Sequence, residues 1–380
     1  MSNSHLIGCC LKSTHFSEVP SVGPVGLPGL EFRRREVVTK LEECLKLYFT
    51  GEPVLLLFGS TITGIGMRNG DVDVTLTFKL AKDPEKKLNK TVEELLDEAE
   101  RSGMDLRDIN TLRTCAPACF LGRRIHPAEL GQLNKSDRIH VLSKILNQIR
   151  KDGKSLTGFR PIKNARTPLI GFTFDSIDFD FSVDNELSAS KSMWLKEQID
   201  VNPSVLKKFL FGIRIWALSN ELFDNGESRG HFNSYMLNLM ALHCLEVKGY
   251  MKLAKEGQEL PDLYRLFREF FCWGVMTRHS DFVHLSGTSG KSIDRKNATK
   301  ELGFTATWGS LNIQDPIDPR HNVTAAVSPQ YLSLLKQKMC YSLARMKKFR
   351  TNFREILYIS MNFGSTFKRR SSSMSPTKRV

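Results

Sequence analysis

The stretch that decides the fold is 58–78, FGSTITGIGMRNGDVDVTLTF. An apolar run ends at Gly59-Ser60, and a segment that alternates polar and apolar residues begins at Asp71. If that segment is a strand, the alternation places Asp71 and Asp73 together on one face and the apolar residues on the other. Because neighbouring carboxylates repel each other, such a pair is typical of a cation site, and hard oxygen ligands suit Mg²⁺ or Mn²⁺.

The turn at Gly59-Ser60 has the composition of a phosphate site. A glycine after a buried strand lets backbone N–H groups approach a phosphate, and a serine hydroxyl at the start of a short helix can donate to it. Phosphate binding beside metal-binding carboxylates predicts nucleotide transfer. The alternative is a plain strand, a turn and a solvated acidic edge, but the Asp-x-Asp spacing favours the nucleotide site.

Length and composition narrow the class of protein. With 380 residues, 41% of them hydrophobic, the chain is long enough for two globular domains. No apolar run approaches the roughly 20 residues of a membrane span, so no membrane contact is predicted. The net charge of +14 predicts a polyanionic partner, with nucleic acid as the first candidate. The eight cysteines are scattered, which favours reduced thiols over disulfides.

A second alternating segment, 176–183, supplies a third carboxylate. Asp178 and Asp180 fall on the same face of this predicted strand, so periodicity does not choose between them. Beyond about residue 190, long helical patterns replace the strand patterns.

The hydrophobic-Gly-Ser turn followed by Asp-x-Asp resembles the nucleotidyltransferase superfamily of the polymerase-beta type. Residues 180–185, DFSVDN, are similar to the third motif of that superfamily with Asp180 in the metal position, which leaves Asp178 without an assigned role. Two further segments, 212–217 before Ser234-Tyr235 and DPIDPRHNV at 315–323, resemble terminal uridylyltransferases and noncanonical poly(A) polymerases. The resemblance covers residues 30 to 355 and is closest to the kinetoplastid uridylyltransferases of mitochondrial RNA editing.

The resemblance implies a role for each matching residue. The residues it assigns to catalysis and to two Mg²⁺ or Mn²⁺ ions are Asp71, Asp73 and Asp180, and those it assigns to the nucleotide are Gly59, Ser60, Ser192, Arg214, Ser234, Tyr235, Asp315, Asp318 and His321. Tyr235 is expected to stack on the base, with Asp315 and Asp318 facing its Watson–Crick edge. His321 is expected either to disfavour ATP or to pack at a helix start.

Three positions depart from the family pattern. Leu218 stands where the family commonly has a second lysine one helical turn after the first cation, so the grip on the triphosphate must differ. Lys191 stands where an asparagine is usual, and Asp318 where a glutamate is usual. Because aspartate is one methylene shorter than glutamate, we expect Asp318 to reach the base through a water.

The predicted fold class is α+β, with a mixed sheet and flanking helices in a nucleotidyltransferase domain, a mainly helical base-recognition domain, and the active site in the cleft between them. The expected divisions are a flexible segment or presequence at 1–30, the catalytic domain at 31–190 with an insertion at about 81–135, the helical domain at 191–360, and a basic disordered tail at 361–380. A helix over 31–50 belongs to the first domain, with packing on the second as an alternative. Cys115 and Cys119, followed by His126 and His140, are a weak candidate zinc site.

The function implied by the resemblance is template-independent addition of UMP from UTP to the 3′ end of single-stranded RNA. The expected location is the mitochondrion, otherwise the cytoplasm, and the enzyme is expected to act alone or within an RNA-editing complex. The alternatives are a poly(A) polymerase of the same fold, a catalytically silent RNA-binding subunit, and a nucleotidyltransferase that acts on small molecules or protein.

Overall fold

A computed structural model describes residues 28–66, 70–79, 125–163, 167–223, 230–302 and 308–349. Several predictions fall elsewhere in the chain and lie outside the described residues. These are the segment 1–30 up to residue 27, the insertion at 81–135 up to residue 124, the paired cysteines within it, and the tail at 361–380.

The first half of the described chain forms a sheet with helices. Its elements are α1 (Pro28–Lys46), β1 (Pro53–Leu57), α2 (Gly59–Thr63), β2 (Val72–Phe78), α3 (Pro127–Gln132), α4 (Lys135–Lys151), β3 (Leu156–Ile162), β4 (Leu169–Phe174) and β5 (Ile177–Val183). The five strands lie in the order β1-β2-β5-β4-β3. Only β2 and β5 run parallel, and the other three pairs are antiparallel, so the sheet is mixed.

The alternation predicted for β2 and β5 is confirmed by burial. Val72, Val74, Phe179 and Phe181 are buried on one face of the sheet. The apolar faces of α1 and α4 cover this side and form one hydrophobic core with it. Helix α1 packs on the sheet through its buried apolar residues Val37, Val38, Leu41 and Leu45, which all belong to the core of the sheet.

The second half is mainly helical. Its elements are α5 (Glu186–Asp200), α6 (Pro203–Ser219), α7 (Ser234–Val247), α8 (Tyr250–Lys255), α9 (Leu263–Met276), a 3₁₀ turn (His279–Asp281), β6 (Phe282–His284), β7 (Ser292–Asp294), α10 (Arg295–Leu302) and α11 (Pro329–Phe349). Asn233 caps α7 through a hydrogen bond from the Met236 N–H, 2.9 Å, as expected from the Asn-Ser pair. The predicted α+β class is confirmed.

A second hydrophobic core joins these helices. Helix α5 crosses the predicted division at residue 190, because it starts beside the sheet and contributes Leu195 and Ile199 to the helical core. Ile65, just after α2, also packs in that core. The two halves therefore share elements at the place where the turn after β1 meets α5.

Three buried histidines form a polar network inside the helical half. His279 Nδ1 lies 3.0 Å from His284 Nε2, and the Ser292 hydroxyl lies 2.9 Å from His284 Nδ1 and 3.2 Å from His243 Nε2. Burial lowers the pKa of His243 and His279 to about 4 and that of His284 to about 2. The network is thus neutral at physiological pH. No helix in the described part of the chain is both long and apolar enough to cross a membrane.

Candidate active site

The turn between β1 and α2 brings the chain against a carboxylate. Gly59 has φ +64°, a conformation that side chains disfavour, and an added Cβ would lie 2.9 Å from the carboxyl carbon of Asp73 and closer still to Oδ2. Only glycine fits this position without strain. The sequence predicted that backbone N–H groups here approach a phosphate, but the Gly59 N–H donates instead to Ser192 Oγ, 2.8 Å away.

Ser192 therefore has a positioning role in the structure. Its hydroxyl accepts from Gly59 and donates to the Ser188 carbonyl, 2.9 Å away, which fastens the turn to α5. The side chain is buried, although it also lines the cavity described below. A direct contact of Ser192 with the nucleotide stays a prediction.

The parallel pairing of β2 and β5 brings the aspartates together. Asp73 and Asp180 are register partners on adjacent strands. Burial, with the negative charges of Asp180 and Asp71, raises the pKa of Asp73 to about 7. Burial and the charge of Asp71 also raise the pKa of Asp180. A cation between such carboxylates would relieve their mutual repulsion.

The donor set fits a divalent cation that arrives with the nucleotide. Among the described residues, no three His, Cys, Asp or Glu side chains lie close enough together to form a complete metal cage. Mg²⁺ in nucleotide enzymes is usually held by one or two carboxylates, waters and the substrate phosphates, so a closed protein cage is not required. Asp71, Asp73 and Asp180 stay the predicted sources of the protein oxygens.

Asp178 has a different environment from Asp180. Its Oδ1 accepts a hydrogen bond of 2.6 Å from the Thr173 hydroxyl on β4. Asp180, by contrast, lies opposite Asp73 on the neighbouring strand. Burial and the charge of Asp178 nevertheless raise the pKa of Asp71, so both aspartates lie near the predicted metal position and the assignment of Asp180 stays a prediction.

A cavity of about 670 Å³ opens beside Asp73, between the sheet and the helical half. Its volume suits a nucleotide-sized ligand. The predicted site residues that line it are Gly59, Ser60, Asp73, Ser192, Arg214, Ser234, Tyr235 and His321, and Lys191, Asn238 and Asn322 line it as well. Asp71, Asp180, Asp315 and Asp318 do not line it.

Arg214 is the cation on α6 that faces this cavity. Burial lowers the pKa of its guanidinium, while the charges of Asp73 and Asp71 oppose that shift. Its Nε is buried and has no hydrogen-bond partner among the described residues. An unsatisfied guanidinium N–H beside a cavity is suited to bind a phosphate oxygen. Leu218, one turn later, is 40% exposed and contributes no charge.

The structure corrects the expected position of Asp315. Its carboxylate is fully buried, and Oδ1 accepts from the N–H groups of Ile317 and Asp318 at 3.0 and 3.2 Å. Its Oδ2 lies 2.6 Å from Lys191 Nζ and 3.3 Å from His321 Nδ1. Asp315 therefore contacts and orients the side chains of Lys191 and His321, which line the cavity, whereas Asp315 itself does not line it.

Lys191 is the site residue that the sequence did not assign. Besides its ion pair with Asp315, its ammonium lies 6.0 Å from the centre of the Tyr235 ring. The Tyr235 hydroxyl is buried and has no partner among the described residues, and burial with the charge of Asp315 raises the pKa of Tyr235. The signal in the sequence was a lysine where the family has asparagine.

Carboxylates on paired parallel strands, one of them lining a nucleotide-sized cavity, are consistent with the nucleotidyltransferase site that the sequence resemblance predicts. A family model described as "Poly(A) RNA polymerase, mitochondrial-like, central palm domain" matches residues 31–197, which include both aspartate strands. With the relatives and solved structures below, this match supports placing the chain in the nucleotidyltransferase superfamily of terminal uridylyltransferases and poly(A) polymerases.

Two curated relatives illustrate the range of that superfamily. The U6 snRNA-specific terminal uridylyltransferase of Caenorhabditis elegans is 23% identical over 352 residues, which cover 85% of this chain and 50% of the relative. The speckle targeted PIP5K1A-regulated poly(A) polymerase of Danio rerio is 19% identical over 362 residues, 82% of this chain and 42% of the relative. The chain thus spans half or less of the length of these relatives.

Solved structures share the fold at low sequence identity. The mtPAP complex with GTP gives a TM-score of 0.61 with 16% identity, covering 87% of this chain and 66% of that one. The Cid1 poly(U) polymerase with MgGTP gives 0.58 with 16% identity, covering 86% of this chain and 93% of that one.

Proposed function

We propose that this protein transfers UMP from UTP to the 3′ end of single-stranded RNA without a template. The observation that carries the proposal is the pairing of Asp73 with Asp180 beside the Gly59 turn, at the edge of a cavity lined by Tyr235 and Arg214. This geometry offers carboxylates to a metal, a cation to phosphates and an aromatic ring to a base.

In the proposed reaction, the 3′-oxygen of the RNA forms a bond to the α-phosphorus of UTP while the bond from that phosphorus to the bridging oxygen of pyrophosphate breaks. Two divalent ions held by Asp71, Asp73 and Asp180 would acidify the 3′-hydroxyl and neutralise the leaving pyrophosphate. Arg214 binds the phosphates, and Tyr235 stacks on the base. Ser192 holds the Gly59 turn in place, so that the turn keeps its close approach to Asp73.

Selection of uracil is proposed to use donors as well as acceptors. Uracil presents an N3–H between two carbonyl oxygens, whereas cytosine and adenine each present an exocyclic amino group. Lys191, oriented by the buried Asp315, can donate to a uracil carbonyl but not to an amino group. Asp318 is proposed to accept from N3–H through a water. A polar group left unpaired in such a site costs about 1–3 kcal/mol, which corresponds to roughly tenfold to hundredfold discrimination.

ATP is the second candidate substrate. The matched family model describes a poly(A) RNA polymerase, and two of the curated relatives are poly(A) polymerases. His321 lines the cavity and contacts Asp315, which supports a proposed role of its ring in the choice between uracil and adenine.

The test is primer extension. The purified full chain is incubated with Mg²⁺, a 5′-labelled single-stranded RNA and each nucleoside triphosphate in turn. We expect UTP to be incorporated at least tenfold faster than CTP or ATP, and Asp73→Ala to abolish incorporation without loss of the fold. Preference for ATP would establish the second candidate, and absence of incorporation with all four nucleotides would contradict the enzymatic proposal.

We also propose that the protein works in mitochondrial RNA processing, alone or in an editing complex. The mitochondrial-like description of the matched family model supports this location. Fractionation of cells that express the tagged full-length chain tests it. Recovery in the cytosol without enrichment in mitochondria would contradict it.

A further inference from the structure

One row of residues crosses the polar face of the sheet. Asp73 on β2 pairs with Asp180 on β5, Asp180 pairs with Gly171 on β4, and Gly171 pairs with Arg160 on β3. Register partners point to the same side of a sheet, so this row places an arginine on the same face as the catalytic aspartates.

The glycine in this row allows the arginine to lie flat across the sheet. A Cβ on Gly171 would lie 3.1 Å from Arg160 Nη2, 3.4 Å from Nε and 3.6 Å from Cζ, so the guanidinium rests against the backbone of β4. Gly171 itself is buried beneath it, whereas Arg160 is exposed to solvent. The guanidinium lies over β4, and Asp180 belongs to the neighbouring strand β5. Because neighbouring strands are about 4.8 Å apart, this is also the approximate distance across the sheet from the guanidinium to the backbone of Asp180.

The positive charge of Arg160 acts on Asp71 and Asp180, although neither aspartate forms an ion pair with it. It opposes the rise in the pKa of Asp71 and Asp180. Within the described ranges, however, no carboxylate forms an ion pair with Arg160. A planar guanidinium with open donor positions is suited to bind a phosphate through two parallel hydrogen bonds.

The position of Arg160 also indicates which phosphate it binds. The nucleotide cavity lies on the side of Asp73 formed by Gly59, α5 and Arg214, whereas Arg160 lies on the opposite side, beyond Asp180. In phosphoryl transfer the attacking and leaving oxygens lie roughly in line, on opposite sides of the phosphorus. A 3′-oxygen that approaches from the side of β4 and β3 would satisfy this in-line arrangement.

We infer that Arg160, seated on Gly171, binds the last phosphodiester of the RNA primer and so positions the 3′-hydroxyl at Asp180. The exposed polar face of β3 and β4 is then the surface on which the end of the primer docks. This inference rests on the proposed transfer to RNA and adds the route by which the second substrate enters.

Binding of a fluorescent 12-nucleotide single-stranded RNA to the full chain, without nucleotide, tests the inference independently of turnover. We expect Arg160→Ala to weaken binding about tenfold and to reduce the slope of log K against log salt by about 0.7, the value for one phosphate contact on a single strand. In extension assays the KM for RNA should rise while the KM for UTP stays within twofold. Arg160→Lys should recover only part of the loss, because lysine lacks the planar fork.

Gly171→Ala tests the seat of the guanidinium. The added methyl group requires the guanidinium of Arg160 to shift by a few tenths of an ångström, so RNA binding should weaken by about twofold to threefold, and the same change in an Arg160→Ala background should cause no further loss. Arg150→Ala is the matched control. Its guanidinium lies 5.6 Å from the centre of the Phe159 ring, and Phe159, one residue before Arg160, packs against the core on the apolar face of β3. The Arg150→Ala variant therefore removes one positive charge, as Arg160→Ala does, but from the opposite face of the sheet.

Equal losses in Arg150→Ala and Arg160→Ala would show a diffuse effect of charge and overturn the inference. Unchanged RNA affinity in Arg160→Ala, with a shifted Mg²⁺ requirement or pH profile, would show that Arg160 acts only on the aspartates and would overturn it too. The proposed function fails differently, since it requires the wild-type chain to extend RNA.

Discussion

Replacing Gly59 by alanine should damage the active site in a way that an equivalent replacement elsewhere does not. The new methyl group has two costs. The residue has φ +64°, and the left-handed conformation costs an alanine about 1–2 kcal/mol. The methyl group would also overlap the Asp73 carboxylate, and forcing extra volume into a packed site costs about 1–3 kcal/mol more.

Gly153→Ala separates the two costs. Gly153 ends α4 with φ +81°, and an added Cβ there meets nothing within 4 Å, so this variant has the backbone strain without the overlap. The loss of unfolded-state entropy that any glycine-to-alanine change causes is common to both variants. We expect the free energy of unfolding to fall by about 1–2 kcal/mol for Gly153→Ala and by about 2–5 kcal/mol for Gly59→Ala.

Thermal unfolding followed by circular dichroism measures both variants, and each kcal/mol corresponds to roughly 2–4 °C for a unit of 150–250 residues. Primer extension should fall by about a hundredfold in Gly59→Ala, the scale of a 1 Å displacement of a catalytic group, and stay near wild type in Gly153→Ala. In an Asp73→Ala background the overlap with the carboxylate is gone and only the Cβ of residue 73 remains, 3.3 Å from the added methyl group, so Gly59→Ala should cost little more than Gly153→Ala. Equal stability and activity of the two single variants would refute the reasoning.

Three further predictions concern the aspartates, the base and pH. Asp180→Asn should reduce extension at least a hundredfold while Asp178→Asn keeps most activity, because only Asp180 faces Asp73; the reverse result would show that the third motif is misaligned. Lys191→Met should raise the KM for UTP about tenfold and lower the preference for UTP over CTP, whereas unchanged selectivity would remove Lys191 from base recognition. In an Asp73→Asn and Glu246→Gln background, which removes two carboxyl groups whose pKa is raised to about 7 and which act in the opposite direction, the melting temperature should fall as the pH drops from about 6.5 toward 4, since the unfolded chain protonates at a pH where the buried histidines stay neutral. A melting temperature that stays constant over this range in that background would contradict the buried neutral state of His243, His279 and His284.

Much of the site could be predicted because its signals are local. The period-two alternation in β2 and β5 depends only on neighbouring residues, so it revealed the aspartate faces before any pairing was known. The cap at Asn233 and the glycine after β1 are local signals as well. Resemblance added Arg214 and Tyr235, which the structure brings to one cavity.

The sequence by itself determined the strand and helix types, the polar face of each strand and the glycine turn, because periodicity and backbone preferences act over a few residues. Only the tertiary structure decided that the buried Asp315 forms an ion pair with Lys191, that Ser192 accepts a hydrogen bond from the Gly59 N–H, and that Arg160 rests on Gly171. These contacts join residues on different elements whose meeting depends on strand order and helix packing. A side chain's chemical type restricts what it can bind, but its neighbours in the folded chain determine which group it meets.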